Sequence, residues 1–494
     1  PRMGDTAVTI TWFNQRDIDV PKRIVLRDST YLATGNPRIR IEGVGLRFQY
    51  SPIHIEGFSF NQAGSNRRSI VLQGPGPDLV RGNLFNLTPT DSSFASLWTI
   101  YGIYINFNNV GTRIENNVFG TYGNANSSQG QAILVYGDST RITGNRFGIN
   151  RAGNATFHRS AGIVVSGSTA AGTLIKYAPR GGVIADNWFG TCGESRPAIF
   201  LNGTDGEGGT QGWTVTGNKF GVSTTDTTKV LPGCTTPLFG LDAAIEMSSF
   251  NPTDTLTDNV VRDNTFWRAA TGITLSGNGT YQNTIRRNRI GTPDQNLTAP
   301  TISFNGMLVA FGARNNLIDS NVIAGANTGI RFGWGTGYGS GMNNTLRANV
   351  IGATGSNASL ANDTGIHLTN TSGGNLLEHN VIAGNRHVGL QLSSNFLETN
   401  RIERNRFGVT TDGTPRPNGG ASFRTTNAGL QTIRHNLIGP STGWGVEIGG
   451  VVAPRTFTLD SNRFLGGQDS GAIFALNVDT LFVRDNQFDS CTVA

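Results

Sequence analysis

One short motif recurs along the chain: an apolar residue, two variable residues, asparagine, one variable residue, then Phe or Ile, usually followed by Gly. It reads Ile114-Glu-Asn-Asn117-Val-Phe119-Gly, Ile142-Thr-Gly-Asn145-Arg-Phe147-Gly and Ile285-Arg-Arg-Asn288-Arg-Ile290-Gly. Its asparagines are Asn83, Asn117, Asn145, Asn187, Asn218, Asn264, Asn288, Asn321, Asn349, Asn380, Asn405, Asn436, Asn462 and Asn486. They stand about 31 residues apart on average and never closer than 24. A constant motif at a varying interval means a fixed coil carrying loops of different length, which is how a solenoid is written in sequence.

Between successive motifs lies a second segment of the form small-Gly-Ile-x-Val/Leu. Ala161-Gly-Ile-Val-Val165, Thr271-Gly-Ile-Thr-Leu275, Thr328-Gly-Ile-Arg-Phe332 and Thr364-Gly-Ile-His-Leu368 are examples. Apolar and variable residues alternate in it, the period of a strand with one buried face. No window sustains a helical period, so each coil is expected to hold three short strands and three turns. Gly at 67 of 494 and charged residues at 15% agree with many turns and little solvated helix. A hydrophobic content of 37% is too high for a disordered chain.

Asparagine suits this place because it tolerates the left-handed conformation at a tight turn, and its amide can bond to the asparagine of the coils above and below. The asparagines are therefore expected to share one turn and to stack as a ladder. Two positions on, the side chain should point inward: Phe at 85, 119, 147, 189, 220, 266, 407, 464 and 488, Ile at the other five. Phe119, Phe147, Phe189, Phe220 and Phe266 are expected to be nearly fully buried, each against its neighbour.

From about residue 40 the pattern resembles the right-handed parallel β-helix repeat proteins, the pectate-lyase-like superfold. The resemblance implies an all-β fold, a single-stranded right-handed parallel β-helix of about fourteen or fifteen coils. Residues 1–40 read as an N-terminal strand or cap segment and 41–494 as the solenoid. Members of that superfold include polysaccharide lyases, glycoside hydrolases, uronan epimerases, phage tailspikes and non-enzymatic surface proteins, so the fold leaves activity open.

The net charge of +6 weakly favours acidic partners. Only Lys22, Lys176, Lys219 and Lys229 among the 39 basic residues are lysines. Arginine binds carboxylate and phosphate in a bidentate manner, although compositional bias is the simpler account. There is no zinc spacing, basic helix or RNA-binding aromatic motif, so no nucleic-acid partner is expected. No run of 18 apolar residues exists, so no membrane span is expected. The chain opens at Pro1 without a charged-then-apolar leader, the expectation for a processed or truncated product.

Two residues before each asparagine the side chain should face solvent. From the sixth motif this series runs Arg262, Arg286, Asp319, Arg347, Glu378, Glu403, Arg434, Asp460, Arg484. Opposite charges on neighbouring rungs attract and help fix coil register. A structural face is the plainer reading and an anion-binding stripe the sharper one.

In the superfold, polymeric substrates often lie along the outward face of one sheet. By that resemblance the relevant stripe is the variable residue of the Gly-Ile-x-Val segment: Tyr104, Leu134, Val164, Phe200, Glu246, Thr274, Leu308, Arg331, His367, Gln391, Ser422, Glu447 and Phe474. The longest intervals, Asn145 to Asn187 and Asn218 to Asn264, place insertions on neighbouring coils. They could converge on one patch with Glu246, Asp205, Asp242, Lys176 and Arg180 as candidate catalytic groups, Glu207 beside them, and Phe200, Tyr104, Tyr177 and His158 as candidate substrate contacts. Paired carboxylates would serve glycoside hydrolysis. A base with a cation that neutralises a carboxylate would serve uronate lyase chemistry. For each residue a solvated loop charge is the blander alternative. A weaker second centre is Arg331 beside His367.

Other signatures are missing. The polygalacturonase set, the Trp-Ile-Asp-His of pectate lyases and the Asp-Pro-His-Asp of alginate epimerases are absent, as is His-Glu-x-x-His. No metal or cofactor is specified. Three readings follow: a secreted carbohydrate-active protein of hydrolase or lyase type binding a polysaccharide, acidic ones included; a non-catalytic cell-surface, filament or adhesive solenoid; and a tailspike-like receptor-binding fibre. All three place the chain outside the cell or on its surface. A bare last coil would recruit another chain, so a further segment or a second subunit is expected at the C-terminal end. Cys192 and Cys234 leave one corner of adjacent coils and are expected to form a disulfide, with Cys491 unpaired.

Overall fold

The computed structural model describes residues 8–11, 18–20, 24–28, 37, 39–42, 45–61, 67–87, 99–120, 130–154, 161–169, 176–190, 197–203, 208–222, 243–291, 302–334, 341–352, 361–369, 372–393, 399–426, 429–449 and 456–490. Among them every regular element is a strand. The chain forms two compact units, Pro1–Val260 with Trp267–Ala270, and Val261–Phe266 with Thr271–Ala494.

In unit 1 each coil contributes one strand to each of three parallel sheets. Thr99–Ile105, Arg113–Glu115 and Val118–Phe119 make one coil, and Gln131–Val135, Arg141–Thr143 and Arg146–Phe147 the next. Ile103 pairs with Ile133, Ile114 with Ile142 and Phe119 with Phe147, all in parallel. Unit 2 repeats the plan: Thr328–Phe332, Thr345–Arg347 and Val350–Gly352 lie beside Thr364–Thr369, Leu376–Glu378 and Val381–Ala383. There Ile330 pairs with Ile366, Leu346 with Leu377 and Ile351 with Ile382. Each unit is a right-handed parallel β-helix, the hand that parallel crossovers adopt.

Coils outnumber asparagine motifs. Val8–Thr11, Ile18–Val20 and Val25–Arg27 already pair in parallel with Ile39–Glu42, Leu46–Phe48 and His54–Glu56. Three strands of the Phe-bearing sheet, Val8–Thr11, Ile39–Glu42 and Ser59–Asn61, thus precede Asn83, and none carries the asparagine. Counting motifs therefore undercounts coils.

The ladder exists in both units. In unit 1 the backbone N–H and side-chain amide of Asn83 both donate to Oδ1 of Asn117, and the pattern repeats through Asn145, Asn187 and Asn218 at 2.9–3.0 Å. In unit 2 it runs from Asn264 through Asn288, Asn321, Asn349, Asn380, Asn405, Asn436 and Asn462 to Asn486 at 2.8–3.1 Å. Amides of both ladders also donate to a carbonyl of the preceding coil, as Asn117 does to Val80 and Asn288 to Val261, at 2.9 Å. A buried amide satisfied on both sides avoids the 1–3 kcal/mol or so of an unmet polar group.

One part of the rationale is corrected. The left-handed residue is the one before the asparagine: Asn116, Asp186, Asp263, Arg287, Ser320, Ala348, His379, Arg404, His435, Ser461 and Asp485 have φ between 51° and 57°, with Gly82, Gly144 and Gly217 at the remaining motifs. The asparagine is chosen for its amide.

Unit 2 holds two further ladders. Asn283, Asn316, Asn344, Asn375 and Asn400 are linked in the same manner five residues earlier in each coil. Asn362, Asn385 and Asn418 form a third.

The inward stack in unit 1 is continuous from Phe60 through Phe85, Phe119, Phe147 and Phe189 to Phe220, with ring centroids 4.7–5.2 Å apart and rings nearly parallel. Phe266, in unit 2, is fully buried and pairs with Ile290. The last described coil leaves Leu476, Phe482, Val483 and Phe488 exposed.

The charged series behaves as rungs. Arg347 reaches Asp319 at 3.0 Å and Arg434 reaches Glu403 at 3.0 Å. Glu403 departs from the solvated expectation: it is buried, held also by Arg401 at 2.6 Å. Burial raises its carboxyl, but Arg434 and Arg401 together hold it below the usual carboxylate range.

Candidate functional site

The outer stripe of unit 1 is a ladder of its own. Tyr104, Leu134, Val164, Phe200 and Glu246 are register partners on five successive strands. Parallel strands put such residues about 4.8 Å apart, side by side on one face. Leu134 and Val164 are buried although they point away from the core, because Tyr101, Tyr104, Tyr136 and Phe200 pack around them. Tyr104 meets Tyr101 edge-on at 5.8 Å and Tyr136 at 5.6 Å. The Arg68 guanidinium sits 4.3 Å from the Tyr104 ring centre and 5.3 Å from that of Tyr101. These aromatics stay half-buried, a broad apolar face with polar edges.

The insertion after the strand Ala161–Ser166 contributes a two-stranded hairpin, Ser168–Thr169 against Lys176–Tyr177. It sets Tyr177 on Phe107, centroids 4.6 Å apart and planes 20° from parallel. Phe107 follows the strand that carries Tyr104, so this aromatic pair lies at the edge of the same face.

Among the sequence candidates, Tyr104, Phe200 and Glu246 stand on the stripe, with Glu246 half-buried and opposite Phe200. Tyr177 lies at its edge. Arg180 does not join them: it is exposed in the turn before Val183–Ala185, where its N–H donates to Asp138 at 2.8 Å. The backbone of Lys176 is placed in the hairpin. His158, Asp205, Glu207, Asp242, Cys192, Cys234 and Cys491 lie outside the described residues.

In unit 2 the stripe runs Leu308, Arg331, His367, Gln391, Arg424, Glu447, Phe474. This corrects one position. Phe423 fills the inward place held by Leu390 in the preceding coil, so Arg424 takes the stripe and Ser422 is buried. Arg424 bonds Glu447 at 2.8 Å, which removes Glu447 from the free carboxylates. His367 Nε2 and the Ser393 hydroxyl are 2.6 Å apart. Burial, and then the charge of Arg331, push His367 down to about 4. Arg331 is itself lowered by burial; its Nε donates to the Gly333 carbonyl at 3.2 Å and it lies 5.5 Å from the Trp334 ring centre.

No family model matches the chain, and no curated protein does. Several solved structures align with the chain at low similarity. The periplasmic alginate epimerase AlgG aligns with a TM-score of 0.36 at 13% identity, covering 91% of this chain and 76% of the epimerase. A PL6 alginate lyase in complex with a trisaccharide gives 0.37 at 10%, over 97% and 92%. The tailspike of E. coli bacteriophage HK620 in complex with a hexasaccharide gives 0.35 at 11%, over 97% and 71%. The fold assignment stands on the strand pairing described above, and the site is read from its own residues.

Unit 1 thus presents a stacking surface and unit 2 a mixed polar row. The described residues show no cluster of three or more His, Cys, Asp or Glu able to hold a metal. Tyr101, Tyr136 and Arg68 were absent from the sequence candidates. Their signal was compositional: four of the nine tyrosines fall between residues 101 and 136.

Proposed function

We propose that the protein binds a polysaccharide along the outer stripe of unit 1, sugar rings lying on Tyr104, Tyr136 and Phe200. The supporting observation is the half-buried aromatic face gathered around Leu134 and Val164. Aromatic faces carry partial negative charge and the hydroxyls of Tyr reach water, a combination suited to the C–H face and hydroxyl rim of a pyranose. An apolar patch rimmed by polar groups is a usual mark of a binding surface.

Turnover is the second level of the reading. Glu246 is a carboxylate on this face; Asp205, Asp242 and Lys176 are proposed to complete a hydrolase- or uronate-lyase-type centre near it, with His158 and Tyr177 as contacts. An extracellular or cell-surface location belongs to the same proposal, as does a Cys192–Cys234 bridge, for which thiol counting should find one free thiol.

A screen of neutral and acidic polysaccharides by affinity electrophoresis tests binding, with reducing ends and unsaturated uronates followed in parallel. At least one polymer should retard the protein, and Tyr104→Ala combined with Phe200→Ala should abolish the retardation with the fold intact by circular dichroism. If the double variant binds as the parent does, the stripe is not the site. If turnover is found, Glu246→Gln should lower it about a hundredfold or more.

A further inference from the structure

Arg331, His367 and Gln391 occupy the stripe on three successive coils of unit 2, with Ser393 two residues beyond Gln391 on the same strand. The rows on either side are settled. Leu308, before Arg331, is fully buried, and Arg424, after Gln391, is matched by Glu447. Asp363 is engaged by Arg386 at 3.0 Å. Among the described residues no carboxylate pairs with Arg331, whose Nε donates to the Gly333 carbonyl and whose guanidinium lies by the Trp334 ring and the neighbouring His367.

Two readings of this group compete. A hydroxyl within 2.6 Å of an imidazole has the form of a nucleophile and its base. A base held near 4, however, is too weak to activate a serine at neutral pH, and its burial, with the adjacent Arg331 cation, keeps it so. What remains is a donor set: a permanent cation with a planar fork of N–H groups, a neutral imidazole, a hydroxyl and an amide. A partly buried cation without a counter-charge is unfavourable, and an anion from solution would offset that cost.

We propose that Arg331, His367, Gln391 and Ser393 form a binding site for an oxyanion group, carboxylate or sulfate/phosphate, borne on a sugar or free. The site belongs to unit 2 and is independent of the aromatic face of unit 1. The anion accepts a bidentate pair from Arg331 and further bonds from the Ser393–His367 pair and the Gln391 amide. Its charge, placed beside the imidazole, favours the protonated form of His367 and so opposes the effect of Arg331.

The test titrates the full chain by calorimetry with galacturonate, inorganic phosphate and sodium sulfate, each against sodium chloride. The His367 C2–H resonance, assigned with His367→Gln, is followed through a pH titration with and without each anion. At least one anion should bind saturably and raise the His367 midpoint. Arg331→Gln should weaken that binding about tenfold or more, while Arg386→Gln, which removes a paired cation of the same unit, should leave it unchanged. Binding of galacturonate alone assigns a carboxylate ligand, and of phosphate or sulfate alone an ester-type anion. A His367 midpoint unmoved by all three overturns the proposal whether or not Arg331→Gln folds, as does equal affinity in a folded Arg331→Gln.

Discussion

At the scale of single residues, the turn before each short Phe- or Ile-bearing strand divides its work between two neighbours. The asparagine supplies an amide that is bonded above and below, while the residue before it accepts a left-handed backbone. Asparagine at every motif was legible in the sequence because only that amide satisfies the ladder. The left-handed residue was not legible, because Gly, Asp, Asn, Ser, Arg, His and Ala all fill it. Those choices are unequal. Ala348, exposed at φ 53°, has neither the freedom of glycine nor a side chain that bonds locally. Ala348→Asn is therefore expected to stabilise the protein by about 0.5–1 kcal/mol, read as a higher midpoint of urea unfolding, and Ala348→Val to lower that midpoint.

At the scale of strands and sheets, burial and titration give two further expectations. Phe189 sits between Phe147 and Phe220 at 4.7 and 4.9 Å, so Phe189→Ala opens a cavity in a stack that cannot close without shifting coils. It should cost about 3–5 kcal/mol in chemical denaturation. His367 gives a pH signature of definite sign. Its folded value is depressed from 6.5 to about 4. As pH falls the unfolded chain takes up the proton first, so stability declines between 6.5 and 4 and the contribution is flat above 6.5. In His367→Gln the decline across that window should be shallower.

This is also where the sequence reading was least complete. The alternation of the Gly-Ile-x-Val segments located the stripe wherever the segment was regular, and missed it at Arg424, where Ala421-Ser-Phe423 replaces the pattern. The ladder from Asn283 to Asn400 was also in plain view, five residues ahead of the first. It passed unnoticed because the residues that follow it, Thr284, Leu317, Thr345, Leu376 and Arg401, vary in character.

At the scale of the whole molecule, repetition made the fold legible and left the function open. The motifs repeat because each coil must match its neighbours, so they report packing and little else. Coils without the asparagine, from Val8 to Asn61, were invisible to a count of motifs. The proposed function rests instead on residues that do not repeat. The tyrosines and phenylalanine of the unit 1 stripe are such residues: they bury outward-facing Leu134 and Val164 without contributing to the core. The decisive measurement is the crystal structure of the full chain with the tightest-binding oligosaccharide from the polysaccharide screen. The account predicts consecutive pyranose rings stacked on Tyr104 and Phe200, along the axis of the coils and beside Glu246. Sugar bound on another face, with Tyr104 and Phe200 left bare, would contradict it.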